Sequence, residues 1–134
     1  MRERQRLRDA FKRAFVCVLL SISIGSSACN RDDEQAAAEM TGGTPLKGKA
    51  AISRYGCSAC HTIPGVNGAN GMVGPPLTQV AGRVYLAGRL QNTPENMIRW
   101  IQNPRGVDDK TAMPNLGVTE ADARDIASYL YTLK

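Results

Sequence analysis

Two cysteines and a histidine stand close together in the segment Cys57-Ser58-Ala59-Cys60-His61. On a helical turn, thiols three residues apart face the same side, so both can add to the two vinyl groups of one porphyrin. The imidazole that follows comes under the iron as an axial ligand. This C-x-x-C-H spacing is the attachment signature of a c-type haem. The sequence therefore predicts one covalently bound haem c.

Two other uses of these residues fit the sequence less well. A thioredoxin-like redox pair needs a βαβ context, and the chain has no convincing run of alternating strand residues. A structural zinc site needs four ligands, whereas the chain offers one histidine and no second cysteine pair.

A second histidine ligand is excluded, because His61 is the single histidine of the sequence, so the sixth ligand is a methionine, some other side chain or nothing. Methionine is the usual partner of histidine on a carrier haem. Met40 falls in a polar segment and Met97 on an apolar helical stripe. Met113 lies in an irregular segment between two helices and is the preferred ligand. Met72, in a glycine-rich loop, is the alternative.

Helix signals dominate the rest of the chain. Three predicted helices begin at a threonine followed by a residue suited to the first turn: Thr44-Pro45, Thr93-Pro94 and Thr119-Glu120. The last helix carries an apolar stripe at Ala123, Ile126, Ala127 and Leu130. Pro104 predicts an end to the middle helix near Asn103. The expected fold class is all-α, with long loops that wrap around a cofactor.

The beginning of the chain has the layout of an export signal. Six basic residues precede position 14, and the apolar run Ala14–Gly25 follows. Residues 1–28 are therefore predicted to be a signal peptide. Small residues directly before Cys29 resemble a bacterial lipobox, and we expect lipidation of Cys29. A plain secreted protein and an uncleaved anchor are the alternatives.

The charge distribution excludes one class of partner. Six of the 17 basic residues and two of the 12 acidic ones lie in residues 1–28, which leaves a net charge of +1 downstream. A nucleic-acid binder needs a strongly basic body, so this class is disfavoured. Residues 29–46 are expected to form a flexible tether, in which a short helix over 34–40 would alter only the reach. Residues 47–134 are the expected folded domain.

From about Lys49 to Leu133 the sequence resembles a class I cytochrome c. It looks closest to the cytochrome c domain fused to subunit II of some bacterial haem-copper oxidases. After the C-x-x-C-H segment, the matching features are Gly74-Pro75-x-Leu77, Gly82-Arg83, Trp100-x-x-Asn103-Pro104, Met113-Pro114 and the loop Gly65–Gly71. The resemblance departs in one respect: a signal and tether stand where subunit II has its copper-binding domain.

The resemblance implies a small cytochrome c fold and roles for three further residues. Pro75 is expected to accept a hydrogen bond from His61 through its carbonyl group. Arg83 is expected near a haem propionate, and Trp100 is expected to pack by the haem on the Met113 side. Each role agrees with the general need of a ligand histidine for a second hydrogen bond and of a buried carboxylate for a cation.

These features together predict a one-electron carrier rather than an enzyme. The expected setting is a respiratory chain on the periplasmic side of a bacterial membrane, with an upstream donor and a terminal oxidase or similar reductase as partners. Exposed basic residues are expected to ring the haem edge and to meet an acidic partner: Lys47, Lys49, Arg89, Arg99, Arg105 and Lys110. The alternatives are a haem enzyme or gas-binding protein with an open sixth position, and a permanent subunit of a complex.

Overall fold

The structure is a computed structural model that describes residues 28–134. The predicted signal peptide, apart from Ala28, lies outside the described residues. In chain order the helices are α1 (Ala28–Thr41), α2 (Pro45–Arg54), α3 (Pro94–Gln102), the short α4 (Pro104–Val107) and α5 (Glu120–Tyr131). Two 3₁₀ turns, Cys57–Ala59 and Val80–Gly82, lie in the long connection between α2 and α3. The expected all-α class is confirmed.

One hairpin was not expected from the sequence. Strands β1 (Tyr85–Leu86) and β2 (Leu90–Gln91) pair antiparallel, with Leu86 opposite Leu90. The turn between them places Ala87 and Gly88 at φ values of 50° and 67°. Turns with positive φ at two successive residues usually contain Asn-Gly or Asp-Gly. The Ala-Gly pair is therefore a weak sequence signal for this turn.

The core forms where α5 packs against α2 and α3. Gly48 allows the first of these helix contacts, because a Cβ at this position would lie 1.9 Å from the carbonyl oxygen of Asp125. The predicted stripe of α5 is buried throughout, as are Met97, Ile98 and Ile101 of α3. Trp100, on the same helix, is only half-buried.

The helix starts agree with the predicted caps at two of three positions. Thr93 Oγ1 accepts from the Asn96 N–H at 3.3 Å, and Thr119 Oγ1 accepts from the Asp122 N–H at 3.2 Å. Thr44 makes no such bond. Instead, its own N–H donates to Asp125 Oδ1 at 2.6 Å and joins the start of α2 to α5.

The segment expected to be a flexible tether is largely ordered. Residues 28–41 are helical, and residues 33–134 form one compact unit. Ala37 and Thr41 are each 1% exposed, and Arg124 donates to the Thr41 carbonyl at 3.1 Å. Alanine-rich sequence favours a helix, and small side chains let this helix pack closely. Residues 33–41 thus belong to a helix with two buried positions, and the tether role of residues 29–46 stays a prediction.

No helix among residues 28–134 is long and apolar enough to cross a membrane.

Candidate cofactor site

The attachment segment begins directly after α2. Gly56 ends the helical path with φ at 70°, and the 3₁₀ turn Cys57–Ala59 follows. The His61 N–H donates to the Cys57 carbonyl at 3.0 Å, which closes the turn and keeps the imidazole beside the two thiols. Cys57 and Cys60 are both free and half-buried. The turn therefore brings together the three side chains that the sequence predicts.

The imidazole of His61 is oriented by the opposite side of a loop. Its Nδ1 lies 2.8 Å from the carbonyl oxygen of Pro75, which is the contact that the resemblance implies. Because a carbonyl can only accept, the contact requires a proton on Nδ1, and in the neutral ring Nε2 then presents its lone pair. This is the tautomer that an iron ligand requires.

Gly74 brings this loop against the imidazole. Its N–H donates to the Cys60 carbonyl at 2.8 Å. A Cβ at Gly74 would lie 2.4 Å from His61 Cε1 and 2.8 Å from Nδ1. Only glycine leaves room for the ring at this distance, so Gly74 belongs to the site, although its sequence motif by itself predicts no role for it.

The chemistry of these side chains fits a covalently attached haem. Burial raises the pKa of the Cys57 thiol, and the neighbouring Cys60 adds to this shift. Two thiols and one imidazole are too few ligands for a structural metal ion. Within residues 28–134, no group of three His, Cys, Asp or Glu side chains could hold a metal by itself. Two thioether bonds and one axial ligand, by contrast, are what haem c needs.

The four methionines beyond the signal occupy different environments. Met97 is 2% exposed and belongs to the core, as predicted, whereas Met72 is 90% exposed. Met40 is 51% exposed on α1. Met113 is half-buried in the irregular segment between α4 and α5, and its N–H donates to Thr111 Oγ1 at 3.2 Å. Met113 is thus neither a core residue nor fully exposed, and its ligand role stays a prediction.

Two asparagines fasten the Met113 segment to the helices before it. Asn115 donates to Asn103 Oδ1 at 3.1 Å. The same oxygen accepts from the Gly106 N–H at 3.0 Å and so caps α4. The Trp100-x-x-Asn103-Pro104 motif is thereby connected to the Met113-Pro114 motif, a link that the sequence order alone does not reveal.

The Arg83 side chain makes its hydrogen bonds to backbone carbonyl groups. Its guanidinium donates to the Pro76 carbonyl, and to the Thr78 carbonyl at 3.1 Å. These bonds brace the loop that carries Pro75. A propionate contact for Arg83, and a haem contact for the half-buried Trp100, remain predictions.

Asn92 is a further structural centre, and it lies outside the predicted motifs. Its amide donates to the carbonyls of Val80 and Arg83 at 2.9 and 2.8 Å, and its oxygen accepts from Tyr131 at 2.8 Å. Burial raises the pKa of Tyr131 to about 12, so the phenol remains a donor at neutral pH. Nothing in the local sequence around Asn92 signals this convergence of three segments.

A scan against protein families matches residues 45–134 to the cytochrome c family. The chain belongs to the cytochrome c family. Membership implies a c-type haem electron carrier, and the Cys57, Cys60 and His61 arrangement is consistent with its covalent haem c.

This cytochrome c is also similar to cytochrome c oxidase subunit 2 of Alkalihalophilus pseudofirmus. The two are 30% identical over 89 residues, which is 66% of this chain and 25% of that protein. The cytochrome c thus spans about a quarter of this relative's length. No solved structure matches the chain.

Proposed function

We propose that this cytochrome c carries single electrons in a respiratory chain and delivers them to a terminal oxidase or similar reductase. The observation that carries the proposal is the oriented imidazole of His61 beside two free thiols. The similarity to an oxidase subunit 2 supports an oxidase as the destination. No residue is assigned to substrate chemistry, because a carrier makes and breaks no substrate bond.

The chain's own residues would set the properties of the haem site. Cys57 and Cys60 would hold the haem through thioether bonds, and His61 and Met113 would bind its iron. The haem supplies a reversible one-electron change at its iron when bound. The bond from His61 Nδ1 to Pro75 makes the imidazole a stronger electron donor. A thioether from Met113 favours the reduced state and so raises the potential.

Optical spectra of the haem-loaded protein test the ligand assignment. We expect a low-spin spectrum in both redox states that does not change with carbon monoxide. Met113→Ala should open the sixth position, so that the reduced protein binds carbon monoxide. Met72→Ala is the matched control and should behave as the wild-type protein does.

The opposite results would change the proposal. Ready binding of carbon monoxide by the wild-type protein would indicate an open site and favour a haem enzyme or gas-binding protein. Opening by Met72→Ala but not by Met113→Ala would move the ligand to Met72.

We further propose that this cytochrome c is exported, lipidated at Cys29 and held on the periplasmic side of a membrane. The basic and apolar order of residues 1–25 and the small residues before Cys29 support this. Mass spectrometry of the mature protein from membranes should find a diacylglycerol on Cys29 as the first residue. An unmodified Cys29 would favour a plain secreted carrier.

A further inference from the structure

Two large apolar side chains stand in solvent next to the attachment segment. Met72 is 90% exposed and Val73 is 79% exposed. We call these two residues the Met72/Val73 surface. Exposed apolar side chains that adjoin one another often mark a contact with another molecule.

The loop that carries this surface is fixed to the attachment segment on both sides. Before it, the Gly71 carbonyl accepts from Thr62 Oγ1 at 3.1 Å. After it, the Gly74 N–H donates to the Cys60 carbonyl at 2.8 Å. A Cβ at Gly71 would lie 2.6 Å from the Ala59 carbonyl oxygen, so the loop approaches the attachment turn closely. The Met72/Val73 surface is therefore held beside the cofactor site.

The chain around this surface is free of charge. Residues 55–82 contain no Lys, Arg, Asp or Glu. The groups against Gly71 and Gly74, on the two sides of the surface, belong to Ala59, Cys60 and Thr62, which are uncharged as well. The charged side chain of Arg83 meets the chain after the surface, where it donates to the Pro76 carbonyl. A partner that meets this region gains little from complementary charge, whereas its own charged groups would lose hydration.

The basic residues expected to ring the haem edge lie outside this uncharged region. One of them, Arg89, is paired with Asp108 at 2.8 Å, which offsets its charge. The net charge of +1 downstream of residue 28 also limits long-range steering. These observations favour a partner contact at the uncharged Met72/Val73 surface over a partner contact through the basic residues.

We propose that the Met72/Val73 surface is where a redox partner docks, and that the partner's own contact surface is apolar and uncharged. This inference rests on the proposed carrier function, because electron transfer needs a partner close to the haem. Electron-transfer contacts are small and transient, so a compact surface of this kind is sufficient.

Charge substitutions of both signs test the proposal. The double variants are Met72→Lys with Val73→Lys and Met72→Glu with Val73→Glu. Leu46→Lys and Leu46→Glu are matched controls, because Leu46 on α2 is 79% exposed, as Val73 is. Stopped-flow kinetics would follow oxidation of each reduced holoprotein by a purified haem-copper oxidase at low and high salt.

An apolar contact predicts that both double variants slow the reaction by about tenfold or more, because either charge must lose water. The wild-type rate should change less than about twofold with salt, and the Leu46 variants should match it. An acidic partner surface would instead slow the reaction of the glutamate variant alone and make the wild-type rate fall with salt. That result, or unchanged rates in both double variants, would overturn the proposal.

Two further measurements separate this inference from the proposed function. Each variant must keep the wild-type optical spectrum, since a changed spectrum would mean that Met72 or Val73 contacts or ligates the haem, and this would overturn the docking proposal. If the oxidase fails to oxidise the wild-type protein, the proposed destination is wrong. Electron self-exchange between oxidised and reduced copies, measured by NMR, would still test whether the Met72/Val73 surface is the docking surface. Both double variants should slow self-exchange about tenfold, and the Leu46 variants should not.

Discussion

At the scale of single residues, the site depends on close approaches that only a few side chains permit. His61 obtains its tautomer from the Pro75 carbonyl and its position from the absence of a side chain at Gly74. Arg83 and Asn92 act indirectly, through backbone carbonyl groups of the surrounding loops. The residues that touch the imidazole are thus few, and most other polar side chains of this region fix the loops.

Gly74→Ala should disturb the imidazole directly. The added methyl group would lie 2.4 Å from His61 Cε1, so the ring or the loop must move and the Nδ1 bond to Pro75 lengthens or breaks. We expect a lower yield of haem-loaded protein and a lower reduction potential or partial high-spin character in what remains. Gly82→Ala is the control, because no atom lies within 4 Å of a Cβ there. Equal spectra and potentials for both variants would contradict the assigned role of Gly74.

At the scale of elements, α2 and α5 are joined by polar contacts at the edge of their packed faces. Asp122 of α5 accepts from Tyr55 at 2.7 Å, from Arg54 at 2.5 Å and from Thr119 at 2.9 Å. The bonds from Tyr55, then Thr119 and Arg54, hold the pKa of the Asp122 carboxyl below its usual range. Since Tyr55 directly precedes the attachment turn, this carboxylate also steadies the end of α2 near the haem.

The lowered pKa of Asp122 predicts a pH dependence of stability. The unfolded carboxyl titrates near pH 4 and the folded one below it. The stabilisation is therefore complete above about pH 5 and is lost as the pH falls through the folded pKa. Thermal unfolding of the holoprotein should show a steeper loss of stability below about pH 4 in the wild type than in Asp122→Asn. The control Asp109→Asn should keep the wild-type slope, and an unchanged slope in Asp122→Asn would count against this contact.

At the scale of the whole molecule, the beginning and end of the compact unit 33–134 meet. Lys134 pairs with Asp33, and Arg124 donates to the Thr41 carbonyl. Ala37 lies between these contacts along α1 and is buried. These contacts join the first residues of the compact unit 33–134 to its last helix and its final residue.

Ala37→Glu tests whether this packing holds in solution. A carboxylate at a position that is 1% exposed must either be buried without a partner or displace the helix. We expect a lower unfolding temperature and faster amide hydrogen exchange over residues 33–41. Ala36→Glu, one residue earlier and exposed, should leave both unchanged. Equal exchange in the two variants would restore the flexible tether that the sequence suggests.

The sequence by itself determined what depends on local chemistry. Cys57, Cys60 and His61 are close in the chain, so their spacing alone predicts a haem attachment turn. The apolar stripe of α5 and the caps at Thr93 and Thr119 also follow from neighbouring residues, and the structure agrees with them.

Tertiary structure decided what depends on residues that are distant in the chain. The sequence predicts Thr44 as a helix cap, but its N–H donates to Asp125, which is 81 residues later in the chain. Residues 29–46 have little to bury alone, yet Ala37 and Thr41 are buried, and Arg124 of α5 donates to the Thr41 carbonyl. The exposure of Met72 and Val73 likewise depends on how Gly71 and Gly74 fix their loop. Burial and close approach depend on both of the segments that come into contact, and the local sequence of one segment does not show which other segment it will meet.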